Sequence, residues 1–103
     1  MARWVRAAAV ADCPPGGACE VVVEGQVLAV YNVEGDVFAL DGVCPHQGGP
    51  LGEGKLVGRV VTCPWHGWQF DVTCGQHQFS ANVKQPAFAA KIDGDAIFVD
   101  LGD

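Results

Sequence analysis

The chain has 103 residues, half of them hydrophobic, enough for one domain with a real apolar core and too few for a second. Its 6 Lys and Arg stand against 12 Asp and Glu, a formal charge of -6 that repels phosphate backbones and argues against nucleic acid as a partner. No apolar run approaches the roughly 18 residues of a membrane span, and Met1, Ala2, Arg3 and Trp4 begin no apolar leader, so a cytoplasmic protein with no membrane partner is expected.

From the N-terminus onward, Trp4 is expected to pack a first strand, and Ala7–Asp12 is the best short helical stretch. Cys13 and Cys19 flank Pro14-Pro15-Gly16-Gly17-Ala18, a loop short enough for a disulfide, but two small incidental thiols, buried or exposed, are expected there. Glu20–Val23 passes through Glu24-Gly25 into Gln26–Tyr31, and Glu34-Gly35-Asp36 leads into Val37–Leu40. These are β-branched and aromatic runs joined by turn residues, the pattern of antiparallel hairpins. A long Gly-rich interruption between Asp41 and Trp68 reads as a loop region inserted into the sheet. Beyond it, Cys74 reads as a turn residue and His77, with no partner at ligand spacing, as a solvated side chain. Ala89–Ile92 and Ala96–Val99 flank Asp93-Gly94-Asp95 as a last hairpin. The expectation is an all-β domain spanning 1–103, an antiparallel sandwich or incomplete barrel of hairpins, with an inserted loop region at about 42–70.

Five cysteines in a chain that reads as cytoplasmic argue for metal over disulfides, and their odd number leaves at least one alone. Cys44-Pro45-His46-Gln47-Gly48 is echoed by Cys63-Pro64-Trp65-His66-Gly67. The pattern is Cys44-x-His46, 16 intervening residues, then Cys63-x-x-His66: two similar loops, each offering one thiolate and one imidazole. Pro after each Cys and Gly near each His favour tight turns whose N–H groups can point at a bound sulfur. A structural zinc is the competing reading, but zinc sites usually open with two cysteines in one loop, and here each loop mixes Cys with His.

This motif matches that of the Rieske iron–sulfur family, C-x-H followed by some fifteen to seventeen residues and C-x-x-H, and the strand pattern on both sides is similar too. The resemblance implies a [2Fe–2S] cluster held by Cys44, His46, Cys63 and His66, with both cysteines on one iron and both histidines on the other. Two ferric ions, two sulfides and two thiolates sum to zero charge, so such a centre takes an electron more easily than a four-thiolate cluster, with potentials of about -150 to +300 mV. High-potential members join their loops by a disulfide and aim Ser and Tyr hydroxyls at the cluster. Gly49, Trp65, Trp68 and Phe70 stand at the matching positions here, which implies the low end of that range. Trp65 and Trp68 are placed to shield the metal from water or to pack the loop. The chain looks like the soluble Rieske ferredoxins of bacterial oxygenase systems, one-electron carriers between a reductase and a terminal oxygenase rather than enzymes. A permanently bound relay subunit of a larger reductase, such as an assimilatory nitrite reductase, is the alternative.

Overall fold

β-branched runs separated by Gly-bearing turns fold as antiparallel strands in the computed structural model, which describes residues 3–43, 50–65, 67–78 and 83–102. In chain order these are β1 (Trp4–Ala9), β2 (Ala18–Val23), β3 (Gln26–Val33), β4 (Asp36–Asp41), β5 (Lys55–Val57), β6 (Val60–Thr62), β7 (Gln69–Asp71), β8 (Ala87–Phe88), β9 (Ala90–Asp93) and β10 (Ala96–Asp100). They form three sheets, ordered β1-β10-β9, β2-β3-β4-β8 and β5-β6-β7, and every named strand pair is antiparallel.

The β2-β3-β4 meander is the centre of the fold. Its two turns, Glu24-Gly25 and Glu34-Gly35, place both loop residues at positive φ, the mirror-image turn whose twist matches that of paired strands. Side chains alternate across this sheet and supply two separate cores. Ala29, Tyr31 and Leu40 face a core completed by Leu51, Val61, Cys63, Phe70 and Val72. Leu28, Val30, Val37 and Ala39 face the other way, onto Cys13, Val23, Ile97 and Val99. Burial on both faces is why β3 reads as a nearly unbroken apolar run instead of an alternating one.

Two expectations are corrected. Ala7–Asp12 is not helical: Ala7–Ala9 complete β1, and only Val10–Asp12 form a single 3-10 turn, anchored by Val10 N–H on the Asp95 carbonyl at 2.8 Å. Pairing with β10 outweighs the helix preference of an alanine run, because a short isolated helix is marginal in water. The interruption between Asp41 and Trp68 holds more than loop, since β5 and β6 lie within it, paired with each other, and β6 pairs with β7. Among the described residues, no helix is long and apolar enough to cross a membrane.

Candidate metal centre

The second motif loop joins β6 to β7. Thr62 and Gln69 are cross-strand partners, the Cys63 N–H donates to the Trp68 carbonyl at 2.7 Å, and Gly67 takes a positive φ. This closure turns the Cys63 side chain inward, where it is 1% exposed in the core with Leu51, Val61 and Phe70. Cys44, His46 and His66, the other three expected ligands, lie outside the described residues, as does Gly49.

The flanks of the first loop are held as firmly. Val43 and Pro50 pair across segment 44–49, and the Leu51 N–H donates to the Gly42 carbonyl at 3.0 Å, so the chain leaves and returns at adjacent points. Leu51 then enters the core that contains Cys63, which brings the bases of the two loops together. Gly52 lies flat against β2; a Cβ there would come within 2.7 Å of the Glu20 Cα, so no other residue fits without moving backbone.

Three residues without any site signal in the sequence support these loops. The Tyr31 hydroxyl, fully buried, donates to the Leu51 carbonyl at 2.7 Å. Gln85, 1% exposed, donates through Nε2 to the carbonyls of Asp41 at 2.6 Å and Val43 at 2.7 Å, clamping the strand end that leads into Cys44. Its backbone N–H donates to Gly75, so the same residue ties that strand end to the turn after β7. The third is His77, and its expected solvation is corrected: it is buried, with its ring edge-on to Trp68 at 4.7 Å and to Phe70 at 5.1 Å. A bridge between Phe70 and His77 places it there. Trp68 and Phe70 contact each other at 6.4 Å, so the positions that carry hydroxyls in high-potential proteins are here part of an apolar cage. Trp65 is half-exposed on the loop and stands outside that cage. Cys74 is exposed in the turn after β7, as expected.

The described donor fits a metal-bound sulfur. Burial in an apolar core penalises a thiolate, and coordination to a cation removes that penalty. Neighbouring side chains are hydrocarbon or aromatic, which keeps water from the inner side of the loop and so bears on the potential of a bound centre.

Comparison with known proteins agrees with this geometry. The Rieske [2Fe-2S] domain model matches residues 3–89. The ferredoxin component of the naphthalene 1,2-dioxygenase system of Pseudomonas aeruginosa is 36% identical over 102 residues, covering 96% of each chain. The Sphingomonas yanoikuyae B1 ferredoxin superposes with a TM-score of 0.86 at 30% identity, covering 97% of this chain and all of that one. A chain in the complex of reduced oxygenase and oxidized ferredoxin in carbazole 1,9a-dioxygenase gives 0.84 at 31%, covering 94% and 92%. The chain belongs to the Rieske [2Fe–2S] domain family, and its cofactor is a Rieske-type cluster. Within that family it is an electron carrier of the ferredoxin type, not an enzyme.

Proposed function

We propose that this protein carries single electrons in the cytoplasm from a reductase to a terminal oxygenase, with Cys44 and Cys63 on one iron of its cluster and His46 and His66 on the other. The chain is read as one domain over 1–103, with about 42–70 bearing the cluster. The observation that carries the reading is end-to-end similarity to a dioxygenase-system ferredoxin, 96% of each chain. When bound, the cluster accepts one electron and gives it up again.

The residues of the chain prepare that exchange in three ways. The two loop bases are fixed by Tyr31, Gln85 and the Cys63–Trp68 backbone bond, so the described ends of both loops are held in place for a ligand set. Trp68, Phe70 and His77 keep the inner side dry. Val43 and Trp65, both about half-exposed, give the loops an apolar rim for docking, while the charge of -6 steers the protein toward a basic partner face.

A reconstituted chain of NADH, reductase and oxygenase from the same host tests this. Oxygenase turnover should rise with the concentration of this protein and vanish when it is omitted. A protein that the reductase reduces but the oxygenase leaves reduced would contradict the shuttle.

A further inference from the structure

Two thiols outside the ligand motif meet in the second core. Cys13 is fully buried, with Sγ 3.5 Å from the Val30 carbonyl oxygen and 3.6 Å from that of Gly17. Cys19 is the cross-strand partner of that same Val30, and its side chain packs into the core that holds Cys13. The two side chains thus converge from the ends of the 14–18 loop.

That loop is fixed. Gly17 N–H donates to the Pro14 carbonyl at 2.8 Å, Gly16 N–H to the Asn32 carbonyl at 2.8 Å, and Asn32 N–H to the Gly17 carbonyl at 3.0 Å. The buried Asn32 side chain completes the tie, donating through Nδ2 to the Cys13 carbonyl at 2.8 Å. Little entropy remains to be lost in joining the two sulfurs.

The pair is also chemically unequal. Cys13 is sealed from solvent, whereas Cys19 is partly exposed. The neighbouring Cys19 thiol, reinforced by burial, pushes the Cys13 pKa far up. The neighbouring Cys13 thiol in turn favours the Cys19 thiolate and holds its pKa below the ordinary thiol value, against burial and the charge of Asp12.

We propose that Cys13 and Cys19 form a redox-active dithiol, with Cys19 attacking and Cys13 resolving, that exchanges with low-molecular-weight disulfides such as glutathione disulfide. The Cys19 thiolate attacks one glutathione sulfur, the glutathione S–S bond breaks, and a mixed disulfide forms as one glutathione leaves and takes up a proton. Cys13 then gives up its proton and attacks the Cys19 sulfur, expelling the second glutathione as its thiol. The protein loses two hydrogens and two electrons, and one glutathione disulfide becomes two thiols. Among the described cysteines, Cys63 sits in the other core and Cys74 is exposed beyond β7, so neither stands beside the pair.

The test uses the cluster-loaded protein, glutathione disulfide, an acid quench, alkylation and mass spectrometry. Cleavage after Glu20 releases residues 1–20, which contain Cys13 and Cys19 and none of the other cysteines. That peptide should be two hydrogens lighter than its reduced form and unalkylated, while the visible spectrum of the cluster is unchanged. Cys13→Ser should instead accumulate the glutathione adduct on Cys19, and Cys19→Ser should leave Cys13 reduced. If Cys13→Ser does not hold its cluster, mapping of the wild-type peptide decides alone. Full alkylation of both thiols, at a glutathione disulfide concentration that modifies the exposed Cys74, would overturn the proposal.

Discussion

Replacing any one of Cys44, His46, Cys63 or His66 with alanine is expected to yield colourless protein without iron, whereas Cys13→Ala, Cys19→Ala and Cys74→Ala keep their colour. Four protein ligands complete the two irons, so losing one leaves an open position that water and oxygen attack. Cys63→Ala is the cleanest case, because the side chain is small and lies in a core of Leu51, Val61 and Phe70 that an alanine methyl also suits. The apo chain should therefore remain folded, with strand circular dichroism intact. The remaining cysteines lie apart from this site, Cys13 and Cys19 at the second core and Cys74 on the surface. Loss of colour in any of those three variants would force a new ligand assignment.

Phe70→Ala should destabilise the fold by about 3–5 kcal/mol, the usual cost of deleting a fully buried aromatic ring. That is a large share of the roughly 5–15 kcal/mol that holds a domain together. Phe70 has no exposed surface, is the cross-strand partner of Val61 and packs against both Trp68 and His77. Its ring shares a core with Cys63, so the cavity left behind opens beside the second loop, and the cluster should bleach faster on warming than in the wild type. Chemical denaturation of the apo form separates the two effects: a midpoint unchanged from wild type would show that the ring carries no packing load.

The hairpins were legible because their signals are local. Glu24-Gly25, Glu34-Gly35 and Asp93-Gly94-Asp95 mark turns between β-branched runs, and each turn appears where those residues stand. The β5-β6-β7 sheet was not, since each strand has three residues and Gly58-Arg59 between β5 and β6 reads as more loop. β8 has two residues beside Pro86 and exists only because Leu40 and Ala39 accept it as an edge. The expected ligand motif is a local pattern in the sequence, whereas the contacts that hold its loop bases are not. Tyr31 reaches Leu51 across 20 positions and Gln85 reaches Val43 across 42, and no periodicity in the chain reports such contacts. His77 misleads for the same reason: a lone histidine among glutamines reads as solvated, until Trp68 and Phe70 fold over it.

The central claim, a mixed Cys/His two-iron centre in this single small chain, is tested most directly by metal analysis with electron paramagnetic resonance on the freshly purified, dithionite-reduced protein. The account predicts two irons and two acid-labile sulfides per chain, with a Rieske signal whose average g lies below that of four-thiolate clusters, because two nitrogen ligands bind one iron. Colourless protein holding one zinc per chain, and silent on reduction, would contradict it.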